Sequence, residues 1–150
     1  VDPGNNGPQL LYALRYHTWM CKPGESATYH DQVGYWLWEP ASQTVMHSLT
    51  IPRGQTVLAA GQAAPDARQF TLRAERGNTA YGICSNPYLE TNFRTDSFEI
   101  TVTIHDDGTW SYDEDTVMTI NGQAEPFHHR DHNHLSRVAA PTPNPVAPRG

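Results

Sequence analysis

The stretch Ser97–Ile120 reads SFEITVTIHDDGTWSYDEDTVMTI and has the clearest pattern in the chain. Polar and apolar residues alternate from Ser97 to His105, as they do in a β-strand with one buried face. The triplet Asp106-Asp107-Gly108 favours a hairpin turn, and Thr109–Ile120 forms the returning strand. The stretch therefore predicts two antiparallel strands joined by a short turn.

The same pattern extends over most of the chain, with turn-forming residues between the alternating segments. Further strands are predicted at Gln9–Met20, Thr28–Trp38, Thr44–Ile51, Gln55–Gly61, Arg68–Glu75, Thr79–Ser85 and Phe127–Val138. The longer connection Asn86–Asp96 and the rest of the chain show no convincing amphipathic helix. Strands joined by short turns predict an all-β fold, an antiparallel up-and-down β-barrel. A barrel of about eight to ten strands is wide enough to hold one small ligand.

Charge, hydropathy and cysteine content exclude several classes of protein. The 150 residues include ten Lys and Arg and carry a net charge of −6, so no nucleic-acid partner is expected. No apolar run approaches the ~18 residues that span a bilayer, and Val1–Gly7 has no signal-peptide pattern, so no membrane association is predicted. The two cysteines, Cys21 and Cys84, are too few for a disulfide framework, which favours the reducing cytoplasm.

The domain organisation is simple. Residues 1–138 are predicted to form a single β-barrel domain. Residues 139–150, AAPTPNPVAPRG, are predicted to be a Pro-rich tail that adds no strand, because proline cannot donate to a ladder.

Four of the eight histidines lie in the last predicted strand, within the segment FHHRDHNHL. Since residues two apart in a strand share a face, one face is predicted to carry His128, Arg130, His132 and His134, and the other His129, Asp131, Asn133 and Leu135. The pair His132 and His134 could bind a metal if a third ligand came from another strand. Haem ligation and solvated or hydrogen-bonded histidines are the other two interpretations.

A second segment combines polar and aromatic residues: YHDQVGYWLW, Tyr29–Trp38. Alternation places His30, Gln32, Gly34, Trp36 and Trp38 on one face, where the histidine and the two tryptophans could line an aromatic ligand cavity. An ordinary barrel core with His30 hydrogen-bonded inside is the other interpretation.

Two further segments give no catalytic motif. Met46–Gly54 contains Ser48 but no nucleophile elbow. The acidic cluster Asp113-Glu114-Asp115 is interpreted as a solvated strand face.

The residues of Tyr29–Trp36, followed by Pro52-Arg53-Gly54 and Gly61, resemble the nitrobindin-like haem-binding β-barrel family. The ending His134-Leu135-Ser136-Arg137-Val138 is also similar to that family, and the resemblance covers Gln9–Val138. It implies a barrel of about ten strands, shaped like those of lipocalins and fatty-acid-binding proteins.

The resemblance also implies a function. Haem b is expected in the barrel cavity, with His129, or alternatively His128, as the axial iron ligand. Nitric oxide or peroxynitrite chemistry is implied, including haem-dependent peroxynitrite isomerisation. The expected ligand-binding residues are Tyr29, His30, Trp36, His128, His129, Arg130 and His132, at the barrel end where His30 and the last strand approach each other. Either Tyr29 or Trp36 points inward, depending on register.

Two alternatives remain open at this point. The first is a haem-free, lipocalin-like or fatty-acid-binding-like carrier of an apolar carboxylate, whose charge would pair with Arg130. The second is an enzyme with a His-ligated metal, using His132, His134 and His30.

The chain departs from the family pattern in two ways. The family usually begins with a strand carrying Gly-x-Trp-x-Gly-x-Gly, and this sequence has no such motif. Either the chain is truncated by this first strand, or the barrel closes differently. Without the first strand, the open edge is predicted to be covered by homodimerisation or by Val1–Pro8. Counting back from Leu135 without a gap places Arg130, not His129, at the position of the family's iron ligand.

Overall fold

The computed structural model describes residues 8–140 and residue 142. The strands are β1 (Tyr12–Cys21), β2 (Thr28–Glu39), β3 (Thr44–Ile51), β4 (Gln55–Gln62), β5 (Gln69–Arg76), β6 (Gly82–Ser85), β7 (Phe93–Ile104), β8 (Trp110–Ile120) and β9 (Phe127–Leu135). A short helix, α1 (Pro87–Asn92), lies between β6 and β7. All strands belong to one sheet, in the order β1-β2-β3-β4-β6-β5-β7-β8-β9. The all-β prediction is confirmed, and every predicted strand overlaps an observed one.

The helix α1 is the element that the sequence analysis missed, inside the predicted connection Asn86–Asp96. The Asn86 side chain accepts hydrogen bonds from the backbone N–H groups of Tyr88 and Leu89, and Pro87 occupies the first turn. Asn followed by Pro is typical of turns as well as of helix starts, which explains the error. The chain after α1 enters β7 at Phe93, earlier than the predicted Ser97, because a bulge joins the two parts of this strand.

The purely antiparallel meander is corrected at β6. This strand lies between β4 and β5, antiparallel to β4 but parallel to β5. The Asn78 side chain accepts a hydrogen bond from the N–H of Ala80, so the chain after β5 turns aside instead of forming a tight hairpin. The prediction of an antiparallel barrel therefore holds for the longer strands and fails for this one.

The sheet curls around a core formed by its central strands. The core residues are Leu49, Val57, Ala59, Leu72, Ala74, Phe98, Ile100 and Val102. We call the side of the sheet that carries them the concave face, and the opposite side the convex face. β1 and β9 are the two edges, and no pairing joins them within the described residues.

Several predictions concern segments outside the described part. Residues 1–7, 141 and 143–150 are not described, so the roles of the Val1–Pro8 segment and of the Pro-rich tail stay predictions. Homodimerisation through the open edge also stays a prediction. Cys21 and Cys84 are free thiols. In the described residues, no helix has the length and hydropathy needed to cross a membrane.

Candidate functional site

The register of the last strands fixes which side chains of β9 share a face with the core. Ile100, a core residue, pairs with Glu114, and Glu114 pairs with Asp131. Directly paired residues point to the same side of a sheet, so Asp131 lies on the concave face. Residues two apart share that face, which places His129 and Asn133 there too. The predicted division of the β9 side chains between two faces therefore agrees with the register.

The other face of β9 carries a cluster of charged side chains on the convex surface. The His132 Nδ1 lies 2.7 Å from Asp113 Oδ1, and the His128 Nδ1 lies 2.9 Å from Asp115 Oδ2. Arg130 donates to the same Asp115 oxygen at 3.3 Å. The hydrogen bond from His128, with the one from Arg130, keeps the pKa of Asp115 below its usual range. Arg130 and His132 also line an open surface cleft of about 340 Å³.

The histidines proposed for a metal site are not brought together. His132 and His134 lie on the convex face of β9, whereas His30 lies on the concave face of β2. The His134 ring stacks on His105 instead, with ring centroids 5.3 Å apart. Within the described residues, no group of three metal-ligating side chains is assembled.

The strand β2 presents Trp36 to the interior and Tyr29 to solvent. Trp36 pairs with the buried His47, so it points to the concave face. Tyr29 falls on the opposite side and is 60% exposed. The choice between these two aromatic residues, which the sequence left to register, thus falls on Trp36.

His30 and His129 both lie near the start of their strands. Each is the third residue of its strand, in β2 and β9. The pairings between these strands reverse direction an even number of times, so β2 and β9 both begin at the same end of the sheet. Both side chains are on the concave face.

A chain of hydrogen bonds on the concave face of β1, β2 and β3 contains a residue that the sequence analysis missed. His30 Nε2 lies 3.2 Å from Gln32 Oε1, and Gln32 Nε2 donates to the Tyr16 hydroxyl at 2.6 Å. The Tyr16 hydroxyl lies 2.7 Å from His47 Nε2. We call these four residues, His30, Gln32, Tyr16 and His47, the polar chain.

His47 is the innermost member of the polar chain. It is only 2% exposed, and its ring stacks on Trp36 with centroids 3.9 Å apart and planes 6° from parallel. Burial lowers the pKa of His47 to about 4, so its imidazole is neutral at physiological pH. The alternation of Val45, His47 and Leu49 on one apolar face was the signal in the sequence that could have identified it.

The glycine in the β2 motif has a steric explanation. A Cβ atom on Gly34 would lie 1.9 Å from the carbonyl oxygen of Ser48 in β3. Only glycine permits β2 and β3 to approach this closely. Gly34 is also the residue paired with Tyr16, so the close approach helps to bring Tyr16 over β3.

Carboxylates occupy the opposite part of the concave face. Asp131 Oδ2 accepts hydrogen bonds from Tyr112 at 3.2 Å and from Asn133 at 2.7 Å, and Thr116 donates to Glu114. Burial raises the pKa of Glu114 to about 7. Burial also raises the pKa of Tyr16, to about 12. We call Glu114 and Asp131 the acidic pair.

The sequence interpretation of Asp113-Glu114-Asp115 as a solvated face therefore applies to only part of this segment. Asp113 and Asp115 lie on the convex face, and Glu114 turns to the half-buried interior. Strand alternation accounts for this division.

A curled β-sheet with polar and aromatic groups on its inner face defines a class: the β-barrel domains that bind a small molecule inside. The family model described as THAP4-like, heme-binding beta-barrel domain matches residues 2–137, and the chain belongs to this family. The resemblance to haem-binding barrels inferred from the sequence is confirmed, and haem is the cofactor of the family description. No curated protein and no solved structure matches the chain.

Proposed function

We propose that this protein binds haem on the concave face of its sheet, with His129 as the axial iron ligand. The observation that carries the proposal is the position of His129, an exposed imidazole on the concave face. A neutral imidazole is a common ligand of haem iron. The aromatic ring of Phe127 lies on the same face, with its centroid 6.4 Å from that of His129.

His129 is favoured over His128 by the direction of their side chains. His128 lies on the convex face, where its Nδ1 is bonded to Asp115. Its ring is therefore directed away from the core side of the sheet. His129 needs no bulge to reach the concave face, although it is one residue away from the position that a gap-free comparison gives for the iron ligand.

The acidic pair fits a positively charged iron centre. Asp131 is two residues from His129 along β9, and Glu114 pairs with Asp131. Ferric iron in a porphyrin carries a net positive charge, which nearby carboxylates stabilise in a medium of low dielectric constant.

The position of Arg130 gives no support to the carboxylate carrier. That alternative required Arg130 to face the cavity. The guanidinium instead lies on the convex face, 3.3 Å from Asp115. We therefore propose haem rather than an apolar carboxylate.

Haem held by one imidazole supplies a free coordination position for a small molecule. On that basis we propose nitric oxide as the diatomic ligand of the loaded protein. The chain's own contribution is to hold the iron through His129 and to shape the polar surroundings with the acidic pair and the polar chain.

Haemin titration tests the proposal. The wild type is expected to show a Soret band that saturates at one haem per chain. His129→Ala should lose most of the affinity, because the axial bond is removed. His128→Ala is the matched control, a neighbouring exposed histidine on the opposite face, and should bind as the wild type does. Equal binding by the wild type and by His129→Ala would show that His129 is not the ligand.

A further inference from the structure

The buried His47 has a polar atom for which the fold provides no partner. Its Nδ1 is shielded from solvent and makes no hydrogen bond within the described residues. Leaving a buried polar group unpaired costs about 1–3 kcal/mol, so native proteins do so rarely. This atom therefore needs an explanation beyond packing.

The hydrogen bonds of Tyr16 bear on whether Nδ1 of His47 carries a proton. Gln32 donates to the Tyr16 oxygen, so the single hydroxyl proton of Tyr16 is free to be donated onward. It has two acceptors within reach, His47 Nε2 at 2.7 Å and the Ser48 carbonyl oxygen at 3.4 Å, and the shorter bond is the stronger. With the Tyr16 proton in the shorter bond, His47 Nε2 accepts a hydrogen bond, and the proton of the neutral ring is then on Nδ1.

The polar chain therefore ends in an unused donor. His30 donates to Gln32, Gln32 donates to Tyr16, and Tyr16 donates to His47, each bond polarising the next. The last group in this series, the Nδ1–H of His47, has no acceptor. Stacking on Trp36 and the tilted ring of Phe98 hold the imidazole in place.

We propose that His47 is a ligand-binding residue whose Nδ1–H donates a hydrogen bond to a small anion held inside the barrel. The inference rests on the proposed function, because the anion would be a ligand of the bound haem. The chemical class is a small anion with strong acceptor character, for which fluoride is the simplest probe. Among the described residues, Nδ1 of His47 is the buried side-chain nitrogen that lacks a partner, so it is the group available to such an anion.

The experiment measures fluoride and imidazole affinities of the ferric, haem-loaded protein by absorption spectroscopy. His47→Phe keeps a ring against Trp36 but removes the donor, and fluoride affinity should fall about tenfold, the equivalent of one hydrogen bond. Imidazole has no need of a donor, so its affinity should stay within about twofold of the wild-type value. His132→Phe, a change of the same type on the convex face, should alter neither affinity.

The outcomes separate this inference from the proposed function. Equal fluoride affinities in the wild type and in His47→Phe, both with intact Soret bands, would overturn the inference alone and assign the free N–H to a buried water. A wild type without a Soret band would overturn both. If His47→Phe does not fold, His47→Leu decides, because it removes the Nδ1–H donor with a smaller apolar side chain. In that variant, an unchanged fluoride affinity would contradict the inference.

Discussion

His47 and the histidines of β9 differ in almost every respect. His47 stands alone in a central strand, 2% exposed, among aromatic rings and with one unpaired nitrogen. The β9 histidines are numerous, lie on an edge strand, and are exposed. Of these, His128 and His132 have their Nδ1 atoms bonded to surface carboxylates. The comparison teaches that a local excess of histidine does not by itself mark a site: within β9, the direction of the side chain is what separates His129 from His128 and His132.

The difference follows from the position of the two strands. β3 pairs on both sides, so its inward residues are covered by neighbours, and a polar group there must find a partner inside. β9 is paired only with β8 in the described residues, so water can satisfy its side chains. The face of β9 that carries His129 lies on the concave side of the sheet, the same side as the core.

The largest expected effect is a difference in stability between a variant of the buried His47 and a variant of an exposed β9 histidine. His47→Ala removes a buried ring and leaves a cavity beside Trp36, so it should lower the free energy of unfolding by about 3 kcal/mol. His132→Ala removes an exposed ring and should change it by less than about 0.5 kcal/mol. Urea denaturation of both variants measures the difference. Comparable losses in the two variants would contradict the contrast in burial.

The dependence of stability on pH sharpens the comparison between the polar chain and the acidic pair. His47 has a pKa of about 4 in the folded protein, below its ordinary 6.5, so between these values the unfolded chain binds more protons and stability rises with pH. Glu114 has a pKa of about 7, above its ordinary 4.5, so in that window the folded chain binds more protons and stability falls as pH rises. The two contributions oppose each other from pH 4.5 to 6.5.

Removing either His47 or Glu114 should reveal the pH dependence of stability that the other contributes. Between pH 4.5 and 6.5, the stability of Glu114→Gln should rise more steeply with pH than that of the wild type, by about 2 kcal/mol over the window. His47→Phe should show the opposite change in slope. Denaturant unfolding at several pH values makes the measurement, and parallel profiles for all three proteins would show that neither group is buried as described.

The smallest expected effect concerns the convex cluster. Asp115→Asn removes the partner of His128 and Arg130, but these pairs are largely exposed, so the loss should stay below about 1 kcal/mol. It should shrink further in high salt, because exposed charges are screened. Thermal unfolding at low and high ionic strength tests this. A loss that is large and independent of salt would mean that the cluster is a buried structural element.

The sequence was sufficient for the strands and for the faces of β9, because alternation is a local property. The same pattern could not place β6, whose four residues pair with β4 and run parallel to β5 through contacts distant in sequence. It also missed α1, where Asn86-Pro87 is compatible with both a turn and a helix start. Deciding which of Trp36 and Tyr29 points inward required the register of β2 against β3.

The candidate site was predictable only in part. His30 and His129 were candidates that the family resemblance implied, and their place on the concave face needed the register of the strands. The polar chain depends on Tyr16, Gln32 and His47 meeting across three strands, which no single segment reveals. Glu114 lies between Asp113 and Asp115, which face solvent, so the acidic run gave no sign that Glu114 points to the interior.

The most direct test of the account is a haemin titration of His129→Gly, with and without added imidazole. Glycine leaves space where the side chain was, so free imidazole can take the place of the missing ligand. We expect the variant to bind haemin weakly alone and to regain the wild-type Soret position when imidazole is added. A wild-type Soret band in His129→Gly without imidazole would contradict the claim that His129 holds the haem on the concave face.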